Sequence, residues 1–472
     1  MTQSTTAPKA YLHSGITTKL SLLLPVVMIL LAISQAPSAA EGEWWDGFSV
    51  PGMDQSVYTI EPEGDNWIVA GDFIQAGSTA ANRVARWDGA QWHPLGSGFN
   101  GIAYDLEHYG GDLIAGGWFS TAGGTPVSYV ARWDGSDWHA MDGGMSSRVS
   151  ALAVYNGDLI AAGDFTVAGG SGASHIARWD GTDWYPLAGG LNHSVYTLAV
   201  ADGYLYAGGR FSAADGLTAD YIARWDGTNW ETDFGGMDQW VYCLGVYNDH
   251  LIAGGFFSEA GGVPVNRIAE FDGTSWSPLD AGLNGVVKTF AVYQDDLYAG
   301  GFFTAAGETE TNYIARWDGS LWHPVEEGAD DSVLALGASE TELFVGGSFV
   351  TAGDQFATYI AAYDSQGWRQ LGEGAGLNNN AMVLTEYDGR LVAGGLFRYA
   401  GGIRVNQVAA WNGITWEPLG GGMNADVLSL TEYQGKLYAG GLFTTADSVQ
   451  VNRIACWDGN TWEPLREGVG GC

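Results

Sequence analysis

Short apolar segments alternate with polar, glycine-rich turns along most of this chain. In one such unit an apolar run ends at Tyr155, Asn156-Gly157 follows, and a second apolar run covers residues 159–163. Asn-Gly between two apolar runs is typical of a tight hairpin turn, and apolar runs of roughly four to eight residues are typical of strands. No segment of the repeated part has the spacing of an amphipathic helix. The pattern therefore predicts an all-β protein built from short antiparallel strands.

The strand pattern repeats with a fixed period. A Trp-Asp-Gly triplet or a close variant occurs nine times, and its first residue recurs every 46 residues, except for one interval of 48 that contains residues 378–380. The first residues of the triplets are Trp87, Trp133, Trp179, Trp225, Phe271, Trp317, Tyr363, Trp411 and Trp457. Four short strands in such a repeat are typical of a propeller blade, which buries its faces by stacking in a ring. The sequence predicts a single β-propeller of nine four-stranded blades. Eight or ten blades are the alternatives, if an end repeat is displaced or an N-terminal Trp-Trp-Asp-Gly fragment forms a blade.

Two aromatic residues recur at fixed places in every repeat. A second tryptophan follows each triplet, as Trp184 does, and a phenylalanine follows each second strand, as Phe165 does. Tryptophans can form sugar-stacking platforms, but a platform gathers a few rings in one place, whereas these recur once in each repeat. We therefore expect them to be buried, where large rings supply the apolar area that a glycine-rich chain needs. The aspartates of the triplets are expected to cap their own turns.

The connections between strands differ in length. The turns joining strands 1–2 and 3–4 are tight, whereas the 2–3 and 4–1 connections are long, as at residues 166–174 and 189–194. Alternate connections of an antiparallel sheet lie on one side, so all the long loops share one face of the disc, the long-loop face, where binding residues are common. Residues that depart from the repeat on this face are the candidate ligand contacts: Trp118, Arg210, Trp240, Asp330, Asp331, Arg148 and His193. We expect the ligand to bind there, near the mouth of the central channel.

The first 40 residues differ from the rest of the chain. Lys9 and Lys19 precede a 14-residue apolar run, residues 20–33, and small residues follow up to Ala40. This pattern predicts an export signal cleaved near Ala40, with an uncleaved membrane anchor as the alternative. The predicted organisation is a signal peptide (1–40), a closing segment (41–56) that packs on the last repeat, the nine-repeat propeller (57–466) and a tail (467–472). A secreted protein, extracellular or periplasmic, is expected.

The composition is strongly acidic. The chain has 54 Asp and Glu residues against 19 Lys and Arg, a formal net charge of −35, and its only lysines after residue 40 are Lys288 and Lys436. This charge disfavours nucleic acid and anionic membrane surfaces as partners, and it suits weak Ca²⁺ binding. The three cysteines, Cys243, Cys456 and Cys472, do not make a disulfide framework.

The repeat also resembles known propeller families. Residues 251–255 (Leu-Ile-Ala-Gly-Gly) and 271–276 (Phe-Asp-Gly-Thr-Ser-Trp) are similar to the double glycine and the aromatic-to-Trp spacing of kelch repeats. Residues 301–307 and Thr444 look closer to the Gly-Gly-x-Phe-Thr-x-Ala-Gly-Gly…Trp-Asp-Gly propellers of secreted bacterial proteins and the fungal cortical polarity-marker family. The resemblance covers about residues 45–465 and implies a propeller fold, but propellers host many functions.

Motifs of known catalytic or cofactor chemistry do not occur in the sequence. It contains no P-loop, no Gly-x-Ser-x-Gly elbow and no histidine pair with metal-ligand spacing. We therefore predict no catalytic residue and no cofactor, and leave metal binding open. The predicted function is a secreted, non-catalytic recognition or adhesion module that binds a protein or glycan on its long-loop face. The alternatives are a structural cell-surface protein and a carbohydrate-active hydrolase or lyase, which would need two carboxylates about 5–10 Å apart at one channel end.

Overall fold

The computed structural model describes residues 52–371, 377–379, 381–412 and 414–465. Within these residues the chain forms two compact units, a larger one of residues 52–378 and 399–404 and a smaller one of residues 379–398 and 405–465. The predicted signal peptide with its cleavage site, most of the predicted closing segment, Asn380 and the tail with Cys472 lie outside the described residues. The described residues contain no helix, and hence none that is long and apolar enough to cross a membrane.

Each repeat forms one four-stranded antiparallel sheet whose strands follow chain order; we number these sheets blade 1 to blade 9. The first strands, called inner strands, are Val57–Glu63, Ile102–Tyr109, Val149–Tyr155, Val195–Ala201, Val241–Tyr247, Val287–Tyr293, Val333–Ala338, Ala381–Tyr387 and Val427–Tyr433. The second strands are Asn66–Gly71, Asp112–Trp118, Asp158–Gly163, Tyr204–Gly209, His250–Gly255, Asp296–Gly301, Leu343–Gly347, Arg390–Gly395 and Lys436–Gly441. The third strands are Val84–Trp87, Val130–Trp133, Ile176–Trp179, Ile222–Trp225, Ile268–Phe271, Ile314–Trp317, Ile360–Asp364, Val408–Trp411 and Ile454–Trp457. The fourth strands are Trp92–Pro94, Trp138–Ala140, Trp184–Pro186, Trp230–Glu231, Trp276–Pro278, Trp322–Pro324, Gly367–Gln370, Trp416–Pro418 and Trp462–Pro464.

A small two-stranded hairpin occupies the connection between the second and third strands of every blade. The strand pairs are Gln75–Ala76 with Thr79–Ala80, Thr121–Ala122 with Thr125–Pro126, Val167–Ala168 with Ser171–Gly172, Ala213–Ala214 with Leu217–Thr218, Glu259–Ala260 with Val263–Pro264, Ala305–Ala306 with Thr309–Glu310, Thr351–Ala352 with Gln355–Phe356, Tyr399–Ala400 with Ile403–Arg404, and Thr445–Ala446 with Val449–Gln450. Each first hairpin strand also forms a bridge with the linker that precedes its blade, as Ala122 does with Phe99. The 2–3 connections, which the sequence predicts as long loops, are therefore ordered β-structure.

The prediction of an all-β chain with nine four-stranded blades is confirmed. In the larger unit, blades 1–7 form a closed β-propeller, because each inner strand lies beside the next and the inner strand of blade 7 lies beside that of blade 1. The rings of Trp67 in blade 1 and Phe344 in blade 7 have centroids 4.4 Å apart. The hydroxyls of Ser56 and Ser348 are 3.0 Å apart across the same interface. The ring within this unit therefore has seven members.

A close contact between a glycine and a valine joins neighbouring blades. A Cβ built on Gly300 of blade 6 would lie 2.5 Å from Cγ1 of Val333 in blade 7. The same contact closes the ring, since a Cβ on Gly346 of blade 7 would lie 2.7 Å from Cγ1 of Val57 in blade 1. The lack of a side chain on glycine leaves room for the valine at this distance, and in blade 3 the small Ala162 takes the same position opposite Val195.

The N-terminal segment determines where the ring closes. The backbone N–H of Met53 donates to the carbonyl of Thr358 in blade 7 at 3.0 Å. At the junction of blades 1 and 2 the equivalent carbonyl, that of Asn82, accepts from Phe99 in the linker that leads onward. Met53 therefore occupies the place on blade 7 that the onward linker occupies elsewhere, and the 48-residue interval falls in that onward linker. The expectation that the closing segment packs on the last repeat is corrected: its described residues contact the seventh.

The smaller unit holds the four-stranded sheets of blades 8 and 9. They share a core that includes Leu419, Val427 and Leu430, and Val427 lies 2.6 Å from a Cβ built on Gly394, as at the interfaces of the ring. Gly440 occupies the equivalent position in blade 9, but its surroundings differ from those of Gly300, Gly346 and Gly394. Among the described residues, a Cβ there would meet only atoms of its own blade, the nearest being Oγ of Ser429 at 2.6 Å.

The recurring aromatic residues form the core between blades, as predicted. The second tryptophans are all buried: Trp92, Trp138, Trp184, Trp230, Trp276, Trp322, Trp368, Trp416 and Trp462. Several donate their indole N–H to the preceding blade, as Trp322 does to the carbonyl of Leu279 at 3.0 Å. The turn aspartates also behave as predicted, since Oδ1 of Asp318 accepts the N–H groups of Ser320 and Leu321, both at 2.9 Å. These bonds hold the pKa of the Asp318 carboxyl well below its usual range.

Candidate ligand channel

A channel with a volume of about 820 Å³ is lined by the inner strands of all seven blades of the ring. Every one of these strands carries a β-bulge near its start, on the side of the long-loop face. A bulge adds an unpaired residue and redirects its side chain, and such irregularities are common at functional sites. The bulge residues all line the channel, and we call them the bulge layer: Tyr58, Tyr104, Ser150, Tyr196, Tyr242, Lys288 and Leu334.

Aromatic rings and cations alternate in and around the bulge layer. The rings of Tyr196 and Tyr242 stack with centroids 5.3 Å apart and planes 15° apart. Nζ of Lys288 lies 3.9 Å from the centre of the Tyr242 ring, and the guanidinium of Arg148 lies 5.2 Å from that of Tyr104. Each cation faces the electron-rich side of a ring, a favourable arrangement that leaves the charge available to a ligand.

The two cations differ in their acidic partners. Arg148 forms an ion pair with Asp164 at 3.0 Å. No carboxylate oxygen lies within 4 Å of Nζ of Lys288 among the described residues, whereas Lys436 lies 3.9 Å from Glu463. Burial is the main cause that lowers the pKa of Lys288, and Arg148 lowers it further. The channel therefore holds a partly desolvated ammonium group without an acidic partner in the described structure.

Three carboxyl side chains form a second level of the channel, farther from the long-loop face. Glu61 and Glu107 stand three residues after the bulges of blades 1 and 2, and Asp105 directly follows a bulge. Burial raises the pKa of Glu61 to about 8, and repulsion from Glu107 and Asp105 adds to this effect. Burial likewise raises the pKa of Glu107 and of Asp105 to about 7. Asp105 also cross-links blades, because its Oδ2 accepts the N–H of Leu152 at 2.7 Å.

Of the seven residues predicted from the sequence, Arg148 lines the channel, and Arg210 and Trp240 lie beside tyrosines that line it at its long-loop end. The guanidinium of Arg210 lies 4.9 Å from the centre of the Trp240 ring, and that ring stands edge-on to Tyr242, 6.3 Å away. Arg210 and Arg148 both lie close enough to Tyr196 to lower its pKa, although burial has the larger, opposite effect. Consecutive blades thus bring Arg148, Arg210 and Trp240 together around the bulge layer.

Two further predicted residues lie elsewhere on the long-loop face. Trp118 ends the second strand of blade 2, is 55% exposed, and contacts Tyr129 edge-on with centroids 6.0 Å apart. His193 stacks on His175 with centroids 6.2 Å apart, and its Nδ1 accepts the N–H of Ser194 at 2.7 Å. Neither residue is part of the channel lining.

Two predicted acids belong to backbone turns. Oδ1 of Asp330 accepts the N–H groups of Val350 and Thr351 at 2.8 and 2.9 Å. Asn284 makes the same pair of bonds in its own linker, so Asp330 fills a repeated scaffold position and is not a departure from the repeat. Asp331 accepts the N–H of Ser332 at 2.6 Å.

The residues of the bulge layer were not among those predicted from the sequence. Its signal was nonetheless present, because six of the seven bulge residues are polar or aromatic, Leu334 being the exception. Lys288, one of two lysines in an acidic repeat region, was the clearest marker.

Other groups give no indication of a metal or thiol site. No cluster of three His, Cys, Asp or Glu side chains suited to a metal ion occurs in the part of the chain that the structure describes. Cys243 and Cys456 are buried free thiols, and burial raises the pKa of Cys243 well above its usual range. A thiol in such surroundings is inert.

No protein-family model matches the chain, and no curated protein matches it. Among solved structures, the chain is similar to the WD40 β-propeller domain of Doa1 (14% identity, 64% of this chain and 93% of that chain, TM-score 0.42). It is also similar to the RRP9 WD40 repeats (13% identity, 63% and 89%, TM-score 0.43). A third is PorZ, described as an essential bacterial surface component of the type-IX secretion system of Porphyromonas gingivalis (12% identity, 90% and 53%, TM-score 0.42). At these identities the likeness says nothing about a ligand.

Proposed function

We propose that this protein is a secreted, non-catalytic recognition or adhesion module that binds its ligand at the long-loop mouth of the seven-bladed channel. The observation that carries the proposal is the meeting of Arg148, Arg210 and Trp240 with the tyrosines of the bulge layer. Aromatic faces and a few convergent polar groups in a cavity of this size are typical of a binding site for a small ligand or a ligand terminus. The ligand is a glycan or a protein, and the net charge of −35 argues against nucleic acid and anionic membranes.

The finer features of the proposal come from the sequence. The apolar run of residues 20–33 and the small residues before Ala40 support export, and the acidic surface supports weak binding of Ca²⁺. The repeat pattern supports a kelch-like subtype close to the secreted bacterial and polarity-marker propellers.

A second candidate is a carbohydrate-active enzyme, and Glu61 and Glu107 favour it. Both carboxyls line the channel on adjacent blades, and both have raised pKa values, as a general acid requires. The recognition function is the better supported, because the aromatic and cationic groups outnumber these acids and surround the mouth through which a ligand enters.

A glycan array probed with the purified mature chain, with and without Ca²⁺, tests the proposal. Trp240→Ala is expected to abolish binding, and Leu321→Ala, which removes an exposed apolar side chain on the tight-turn face, should leave it unchanged. Binding lost in Leu321→Ala but retained in Trp240→Ala would refute the location of the site. Cleavage of a bound glycan that stops in Glu61→Gln or Glu107→Gln would favour the enzyme.

A further inference from the structure

We propose that the channel binds a carboxylated sugar, a uronic acid, with the carboxylate held between Lys288 and Arg148 and the hydroxyls directed toward Glu61 and Glu107. The inference rests on the proposed recognition function and names the ligand class of the same site. It depends on the placement of Lys288 in the bulge layer and on the tyrosines that form the walls of the channel. It also depends on the contrast between the cations at the bulge layer and the carboxyl groups of the second level.

Lys288 is a largely buried cation. The chain has 54 acidic side chains, yet no carboxylate oxygen lies within 4 Å of this ammonium among the described residues. Removing an ammonium group from water is unfavourable unless a counter-charge or hydrogen bonds replace the water. The face of the Tyr242 ring, 3.9 Å away, replaces part of it. A ligand carboxylate would supply the remaining counter-charge.

Arg148 is a second cation in the lining of the same channel. Its positive charge lowers the pKa of Lys288, so the two like charges repel each other. The ion pair with Asp164 uses Nη2 of Arg148, and the flat guanidinium rests over Tyr104. Two cations that repel each other are stabilised when an anion binds between them.

The walls between these cations suit a sugar ring. Tyr58 and Tyr104 stand with centroids 5.5 Å apart, and Tyr196 stacks on Tyr242. Tyrosines present an apolar face and a hydroxyl, which match the C–H face and the hydroxyls of a sugar. The channel volume of about 820 Å³ lies within the range of roughly 300–1,000 Å³ found for small-ligand sites.

The carboxyl level distinguishes a uronic acid from a continuous polyanion such as an acidic peptide. Glu61, Asp105 and Glu107 occupy the channel beyond the bulge layer and would oppose a second negative charge at that depth. Carboxyl groups accept hydrogen bonds from hydroxyls, and the protonated form also donates one. The channel thus suits a ligand that is anionic at one end and rich in hydroxyls at the other.

Titration calorimetry with the mature full chain tests the inference. The probes are the methyl glycosides of galacturonate, glucuronate and mannuronate, each with a single carboxylate, and their methyl esters, which remove the charge and keep the hydroxyls. At least one acid is expected to bind, its ester about 10- to 100-fold more weakly, as for the loss of a charge-assisted contact. Lys288→Met should weaken binding of the acid by a similar factor and leave the ester unaffected, and Lys436→Met is the matched control because that lysine lies outside the channel.

The other outcomes separate the inference from the proposed function. Equal affinity for acid and ester, both lost in Trp240→Ala, would refute the uronic acid and retain recognition at the mouth. Binding of all probes that is independent of both Trp240 and Lys288 would refute both proposals. A lack of binding by every uronate, or Lys288-dependent binding of a hexaglutamate peptide instead, would also overturn the inference.

Discussion

Two glycines at the same position of the repeat can show where the ring closes. Gly346 of blade 7 faces Val57 of blade 1, whereas Gly440 of blade 9 faces no side chain of another blade among the described residues. We expect Gly346→Val to destabilise the protein and Gly440→Val to have little effect, although the two substitutions are chemically identical.

The magnitude follows from the space around each glycine. At Gly346 even a bare Cβ would lie 2.7 Å from Cγ1 of Val57 and 3.2 Å from Cδ1 of Ile60, and valine adds two methyl groups. Overpacking of this kind costs about 1–3 kcal/mol of the free energy of unfolding. At Gly440 the nearest atom is the hydroxyl of Ser429, the end of a small side chain that can rotate away, so we expect a change within about 0.5 kcal/mol.

Urea unfolding followed by tryptophan fluorescence gives both values, and the order of the two variants is decisive. In a ring of nine blades, Gly440 would face Val57 and Gly346 would face the smaller Ala381, so Gly440→Val would be the more destabilising change. That result, or equal effects, would refute closure at blade 7. A double variant, Ser56→Cys with Ser348→Cys, provides an independent check, because hydroxyls 3.0 Å apart place the two sulfurs within reach of a disulfide.

Two further predictions concern the channel and the core. Glu61→Gln should raise the melting temperature at pH 9 and change it little at pH 4, as measured by scanning calorimetry. The reason is that the folded state keeps the Glu61 proton up to about pH 8, whereas the unfolded chain releases it near pH 4.5. The free energy of unfolding of the wild-type protein therefore falls as the pH rises between these values. The same pH trend in both proteins would contradict this assignment. Trp322→Ala, which removes a buried ring and its bond to Leu279, should cost about 3–5 kcal/mol in urea unfolding, whereas Trp118→Ala, at an exposed ring, should cost less than about 0.5 kcal/mol. Similar losses in both would contradict the distinction between core and surface rings.

The blade itself was predictable from sequence because its information is local. The Asp-Gly turns, the apolar runs and the tryptophan recurring in each repeat fix four strands and their order, and the structure has these strands in all nine repeats. The contact between blades is also partly readable, since its position holds a glycine or an alanine in every repeat, as Gly300 and Ala70 show.

The point of closure was not predictable in the same way. Nine similar blades offer similar faces to Val57, and the repeat pattern does not distinguish among them. The choice depends on Met53, which lies before the first repeat, and on the two additional residues before blade 8. The 48-residue interval was visible in the sequence. Its structural role follows only from the contact of Met53 with Thr358, because Met53 takes the place on blade 7 that the onward linker occupies elsewhere.

The channel was predicted in outline and missed in its lining. Arg148, Arg210 and Trp240 could be recognised from the sequence because they depart from the repeat within its loops. Lys288 and the tyrosines lie inside strands, where a variable residue is indistinguishable from a solvent-facing one until the bulge shows that it points into the ring.

Because Met53 closes the ring at blade 7, the width of the channel does not depend on the total number of repeats. Tandem duplication or deletion is the usual way in which repeat proteins change length, and in a simple ring every such event alters the pore. Here a repeat gained or lost after residue 371 leaves the same seven strands around the same opening, so the C-terminal part of the gene can vary in length without disturbing the residues that face a ligand.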